Sequence, residues 1–474
     1  MHTRWNVSTW QAALASVGFV VAAALALPSP AAAQGASEQV TFTKDIAPIL
    51  QRSCQRCHRP DSVAPMSLMT YEEVRPWARA IKQRTALRDK PGVMPPWYIE
   101  KNIGIQRYKN DPSLSDAELT KIAKWADSGA PRGNPNDMPA PAKFTDEGEW
   151  QLGKPDLVVK APTVAVKPDA PDWWGVLAPV DVELREDRYV SSVEVREVND
   201  SKGKPGRSTV GGLYLFHHAV FMILDKDGKP VGDAVGGWPV HEVGRNPDVF
   251  DPDSGKLVTA NSKLLFNSVH LHSNGKDTNA HLEVGFTFHP KGYKPKVTTT
   301  LLAVGNGPDL DIRGMDPNQK MEAYFTLPQH AKITVYEPHM HAPGVRMCLE
   351  AVWGITSETL SCSGYDHSWV RGYAYADDAA PLLPKGTILK VVGYFNNSPS
   401  NKNVVDPRNW SGAGHRSVDN MVINLMQAIF LTDAQFQEEM AKRRQELKLT
   451  EGQGVIGCPL CGQTRAPQRT AGNQ

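Results

Sequence analysis

The sequence predicts a multidomain chain in which a small all-α segment precedes a longer all-β region. Three observations lead there. Apolar residues up to about residue 137 follow a helical pattern, as in Leu119, Ile122, Ala123 and Ala126. Residues 131–147, rich in proline, asparagine and charge, then interrupt it. From residue 156 onward, short β-branched and aromatic runs alternate with turn residues, as in antiparallel sandwiches.

Size and charge narrow the function classes. At 474 residues the chain has room for roughly three domains of about 150 residues each. Its 52 basic and 51 acidic residues leave a formal net charge of +1, so no global field draws it to nucleic acid or anionic lipid. With 41% hydrophobic residues and 38 Gly beside 37 Pro, it reads as loop-rich and globular, not as a coiled coil or a disordered chain.

The elements follow in order. Residues 1–33 read as an export signal: Arg4 precedes an apolar run over residues 12–27, and Ala31-Ala32-Ala33 offers a cleavage site before Gln34. No membrane span is expected after cleavage, and the mature chain is expected to be periplasmic or secreted, where disulfides persist. Ser115-Asp116-Ala117-Glu118 is a capping box that starts a helix ending near Gly129. Residues 136–155 are read as a linker. Strands are expected over residues 189–195, 213–224, 284–288, 333–336 and 387–395, and an amphipathic helix over 433–447 precedes a polar tail.

Cys54-Gln55-Arg56-Cys57-His58 carries the sharpest chemistry. Two thiols three positions apart match the two vinyl groups of a haem, and the adjacent imidazole of His58 can ligate the iron, so C-x-x-C-H in an exported chain reads as attachment of one covalent haem c. The sixth ligand is expected to be Met94, whose backbone is held extended by Pro95 and Pro96, with Met66 and Met69 as competitors. Residues 38–135 resemble a class I cytochrome c, in which a Met-Pro loop supplies the axial sulfur.

The histidines carry the rest. Of 14, all but His2 and His58 fall between His217 and His415, a concentration that metal binding explains economically. On a strand, residues i and i+2 share a face, so His339 and His341 can converge on one ion. His217 and His218 are adjacent and would point apart on an ideal strand, so they can share an ion only at a strand end or a bulge.

Taken together, Phe216-His217-His218-Ala219-Val220, Val269-His270 with Ser273-Asn274-Gly275-Lys276, Glu337-Pro338-His339-Met340-His341-Ala342-Pro343-Gly344, Tyr394-Phe395-Asn396-Asn397-Ser398 and Asp419-Asn420-Met421 resemble the copper type II monooxygenases. These include peptidylglycine alpha-hydroxylating and dopamine beta-monooxygenases. The resemblance implies two consecutive jelly-roll sandwich domains, residues 156–290 and 291–432, with residues 433–474 as helix and tail. It implies two copper ions: one held by His217, His218 and His270 for electron transfer, the other by His339, His341 and Met421 for oxygen. His272 remains an alternative to His270. The thioether is soft and suits Cu(I), while imidazole serves both oxidation states. Leu271 and Asn420 depart from the family pattern, which has an aromatic and an acidic residue there. Cys348 and Cys362 are expected to form a disulfide in the second jelly roll; for Cys458 and Cys461 both a local disulfide and a metal-capturing or redox pair stay open. His241, His367 and His415 receive no role.

The implied activity is hydroxylation of an organic C–H bond with O2, the electrons coming through the haem from an external donor to a copper pair that acts on a small-molecule or peptide substrate. The alternative is a haem and copper electron-transfer or copper-binding protein without oxygenase activity. A reductase of small oxides is a third reading. Substrate identity does not follow from the sequence.

Overall fold

A computed structural model describes residues 39–60, 62–144, 150–201, 212–232, 237–244, 247–416 and 418–462. The apolar run over residues 12–27 and the cleavage motif expected at Ala31-Ala32-Ala33 lie outside the described residues, as does the end of the polar tail. Antiparallel pairing dominates. Among the described residues five antiparallel sheets form, with few helices, and no described helix is long and apolar enough to cross a membrane.

The helices lie mostly before residue 128. Helix Asp116–Asp127 begins where expected: the Ser115 side chain accepts the Glu118 N–H, and the Glu118 carboxylate accepts the Ser115 N–H at 2.8 Å. Its Ile122 and Trp125 are buried beside Ile49 and Leu50 of helix Ala47–Ser53, which runs directly into Cys54. The chain after the helix turns back onto this core, where Pro131 O accepts the Phe42 N–H at 2.9 Å and Arg132 O the Thr43 N–H at 3.0 Å. The first part of the proline-rich stretch is thus tied down and not extended.

The second core is sandwiched between two sheets. In strand Thr278–Phe288 every second residue, Ala280, Leu282, Val284 and Phe286, is buried, as a one-face pattern of period two requires. Its partner Arg188–Asn199 supplies Val193 and Val195. The facing sheet pairs Phe216–Leu224 with Lys263–Leu271 and contributes Phe221, Ile223, Leu264 and Phe266. Each such full burial is worth roughly 1.5–3 kcal/mol.

The third core is built likewise. Strand Val422–Leu431 lies between Thr299–Gly305 and His330–Tyr336, and a four-stranded sheet runs Gln319–Thr326, Ile388–Phe395, Gly344–Trp353, Thr356–Gly364. Trp97, Ile99, Ile105 and Tyr108, which precede the capped helix in sequence, belong to this core and not to the helical one. They continue the sheet edge: the Glu100 N–H donates to Cys362 O at 2.9 Å and the Ile105 N–H to Leu360 O at 2.8 Å. Gly104 makes that approach possible, since at its φ of +63° a Cβ would stand 2.3 Å from Leu360 O.

Cys348 and Cys362 are cross-strand neighbours and are disulfide-bonded. Cys458 and Cys461 form a second, local disulfide, packed with Phe436 and Met440 of helix Asp433–Glu446.

Candidate metal centre and haem-attachment segment

The first histidine set owes its geometry to a bulge. Strand Phe216–Leu224 pairs Ala219 with Val269 and His218 with His270, and then Phe216 with Leu271, so the register skips His217. An extra residue on one strand rotates its neighbours out of the strict pleat. His217 and His218, which an ideal strand would send to opposite faces, therefore approach one another. Their ring centroids are 6.0 Å apart, and each lies 5.4 Å from that of His270. The bulge is braced on both sides: His217 O accepts the Val243 N–H at 3.0 Å, and the Glu197 carboxylate accepts the N–H groups of Leu215 and Phe216.

His272 also reaches this set, since ligand atoms of His217, His270 and His272 lie within 4.8 Å of one another. Its ring is parallel to that of His217, 4.7 Å away with 7° between planes, whereas His270 is inclined to His217 by 60°. His218 falls in a second group, with His217 and Glu242, so His217 belongs to two groups and the expected set of His217, His218 and His270 is not gathered as one of them.

The second set sits on strand Pro338–Met340, whose register against Val422–Leu431 pairs His339 with Ile423 and Met340 with Val422. That register ends at Met340 and Val422, and His341 and Met421 are the next residues beyond it. The centroids of His339 and His341 are 5.7 Å apart. Asn420, one of the departures from the family pattern, is buried and donates to Ser411 O at 3.2 Å, anchoring the turn before Met421. Leu271 is buried in the core beside the bulge.

Hydrogen bonds decide which nitrogen of each ring is free. His217 Nε2–H donates to the His367 carbonyl at 2.9 Å, so its lone pair is on Nδ1, which is buried with no hydrogen-bond partner. The second set is reversed. His341 Nδ1–H donates to Asp419 O at 3.1 Å and leaves Nε2 buried and unpartnered; His339 Nδ1–H donates to Glu242 at 2.6 Å. Acceptors that take the N–H on the far side of the ring fix the tautomer of a metal-ligating histidine. Both ring nitrogens of His270 are likewise buried without a hydrogen bond. The His217 and His270 nitrogens belong to residues that could hold a metal ion, with Asp172 3.6 Å from His270 Nε2.

The two sets are not separate. His218 lies 5.5 Å from His339, and His367 lies 4.4 Å from His217 and 6.0 Å from His341, so seven histidines from several strands and loops form one chain of contacts. Burial, reinforced by neighbouring imidazoles, holds His217, His218 and His367 well below the usual histidine range and pushes His341 down to about 3. These rings are neutral at ordinary pH, the form that binds metal.

Sequence reasoning missed Glu242 and His367. Glu242 is fully buried, with one carboxylate oxygen on His339 and the other unpartnered, and it groups with His217 and His218 within 4.8 Å. An acidic residue inside the buried run Val240-His241-Glu242 was the available signal. His415 stacks on Trp174 at 4.2 Å, and Trp174 is itself the cross-strand partner of His270.

Cys54, Cys57 and His58 lie where helix Ala47–Ser53 ends. Cys54 O accepts the N–H groups of Cys57 and His58 at 3.1 and 2.9 Å. Cys54 and Cys57 are not joined in a disulfide. Burial, and then the neighbouring Cys57, raises the Cys54 thiol to about 12. His58 Nδ1–H donates to Met66 O at 3.1 Å, so the lone pair of the neutral ring is on Nε2. Met66 therefore stands behind His58, with its side chain against the helical core, and Met69 N–H is engaged with Glu73 at 3.1 Å. Met94 is 38% exposed in a cleft lined by Val93, Pro95 and Trp97.

No family model matches this chain. No curated protein matches it either. Among solved structures, a chain of the T13 IBDV viral particle aligns at 9% identity over 62% of this chain and 86% of that chain, with a TM-score of 0.16. A likeness at that level carries no argument. The chemistry must come from the site: buried neutral imidazoles with fixed tautomers, and two cysteines next to an oriented histidine.

Proposed function

We propose that the chain is an exported copper-dependent monooxygenase carrying its own haem c, with a cytochrome c-like helical unit followed by two jelly-roll domains. The observation that carries this reading is the opposite tautomer setting of the two histidine sets. One offers Nδ1 at His217, the other Nε2 at His341. Two ligand sets of different character fit two copper ions with different tasks, and bound copper would supply one-electron transfer and the activation of O2. His217, His218 and His270 would hold one ion; His339, His341 and Met421 the other. The haem, attached through Cys54 and Cys57 with His58 and Met94 as axial ligands, would supply electrons one at a time.

The chain's own residues do the arranging. Glu242 and the Asp419 carbonyl hold His339 and His341 by their Nδ1–H groups, and the His367 carbonyl holds His217 by its Nε2–H. Burial keeps His217, His218 and His341 neutral, so no proton has to leave these rings before metal binds. Two disulfides agree with an oxidising compartment, and the partners are an organic substrate, O2 and an external donor to the haem.

A second reading, a haem and copper electron-transfer protein without oxygenase chemistry, is favoured by the contact of His218 with His339 at 5.5 Å, which leaves little room for substrate between the sets. Oxygen uptake by reduced, copper-loaded protein decides between them. Substrate-dependent uptake with one hydroxylated product per two electrons supports the monooxygenase; redox cycling of haem and copper without product across peptide, amine, sterol and alkyl-aromatic substrates overturns it.

A further inference from the structure

Glu242 sits where the two histidine sets meet, and only one of its two oxygens is accounted for. Oε1 accepts the His339 Nδ1–H at 2.6 Å, while Oε2 is buried without a hydrogen-bond partner. The whole residue is buried. A carboxylate in such surroundings is costly unless hydrogen bonds or a cation compensate it. Two more buried atoms in the same place lack hydrogen-bond partners, His217 Nδ1 and His218 Nδ1.

Strand register explains why these residues gather. His218 is the cross-strand partner of Glu242 on one side and of His270 on the other, so Glu242, His218 and His270 form a row across three antiparallel strands. Partners in such a row project to the same side of the sheet. His217 joins through the bulge: the register passes over it, and its carbonyl accepts the N–H of Val243, the residue after Glu242, at 3.0 Å. One ligand atom from each of His217, His218 and Glu242 consequently lies within 4.8 Å of the others. Metal bonds of about 2.0–2.2 Å hold two donors on one ion at most about 4.4 Å apart. Small side-chain rotations therefore close this group on a cation.

We propose that Glu242 is itself a metal ligand: its Oε2 joins His217 Nδ1 and His218 Nδ1 on one divalent cation of the Cu2+ or Zn2+ class, while Oε1 keeps hold of His339. This rests on the reading of the His217 set as a metal site, and on neither the haem nor oxygen chemistry. Two imidazoles and a carboxylate are a donor set that divalent first-row ions accept, and a four-coordinate ion keeps a place for His270 at the end of the row. The anionic oxygen donor also favours a divalent ion over Cu(I), which prefers soft donors.

The test uses Zn2+, which takes no part in redox chemistry, on the full chain carrying His341→Ala. That background cripples the His339 set without touching the bond between Glu242 and His339, so the remaining tight ion reports on the His217 set. Competition with a calibrated chelator gives its affinity. Adding Glu242→Gln keeps a carbonyl oxygen for the His339 N–H and removes the anionic donor. Zn2+ should then bind more than about 100-fold more weakly, beyond the roughly 10–100-fold that loss of an outer partner costs. A smaller loss, or none, makes Glu242 an outer partner only and overturns the proposal. If Glu242→Gln does not fold, infrared difference spectra of the His341→Ala protein with and without Zn2+, its glutamates labelled with 13C at the carboxylate, decide instead. A shift of the labelled carboxylate bands on loading supports ligation, and unshifted bands overturn it. Wild-type protein that takes up no Zn2+ overturns the metal reading of the His217 set itself, an outcome distinct from tight binding that ignores Glu242.

Discussion

Glu242 and His339 form a buried carboxylate–imidazole pair, 2.6 Å from Oε1 to Nδ1, between a strand of the second core and a strand of the third. The carboxylate fixes the His339 tautomer and raises the basicity of Nε2. It also sits within reach of His217 and His218, so one side chain touches both histidine sets.

Glu242→Gln should therefore weaken copper at the His339 set by roughly 10–100-fold, the usual cost of losing such an outer partner. Competition with a calibrated chelator measures it. Equal affinity at both sites in the variant would show that the pair is only structural.

Copper content separates His270 from His272. Mature protein should bind two copper ions, His270→Ala should lose the one at the His217 set, and His272→Ala should keep both, the His270 ring being inclined to that of His217 and the His272 ring parallel to it. His339→Ala or Met421→Ala should weaken only the other ion. Loss of copper in His272→Ala with retention in His270→Ala would reverse the assignment.

The axial sulfur has a spectroscopic signature. Holoprotein matured with haem-lyase machinery should show a low-spin spectrum with a weak sulfur-to-iron band. The band should vanish in Met94→Ala and survive in Met66→Ala, since Met66 stands behind His58 and lends it a carbonyl. Persistence in Met94→Ala would refute the axial assignment.

Metal-free protein should lose stability in acid through its histidines. His341 titrates at about 3 in the native chain because of burial and the nearby His339, while an unfolded histidine titrates near 6.5. Above about pH 6.5 neither state binds the proton and no stability is lost; as pH falls toward about 3 the unfolded chain binds a proton that the native chain refuses. The loss is about 1.4 kcal/mol per pH unit for one such group. His217, His218 and His367 shift the same way and steepen it. Denaturant midpoints should fall across this window, and His341→Gln should flatten the fall. A flat wild-type profile would contradict the buried neutral cluster.

Local pattern determined much of this protein before any tertiary contact. The Ser115–Glu118 box caps its helix because both partners lie within one turn, and the alternation of Ala280, Leu282, Val284 and Phe286 marks a core face because strand side chains repeat every two residues. The C-x-x-C-H spacing and the i, i+2 histidines at 339 and 341 were legible for the same reason. What the tertiary structure alone decided concerns residues distant in the chain. The bulge at His217 depends on how Phe216–Leu224 registers against Lys263–Leu271, and pairing register is not written in either strand by itself. Glu242 meets His339 across 97 residues and His217 meets His367 across 150, contacts that no periodicity encodes. Trp97, Ile99, Ile105 and Tyr108 precede the capped helix in sequence yet pack into the third core, because the edge of strand Thr356–Gly364 offered unpaired backbone groups that only a neighbouring strand could satisfy.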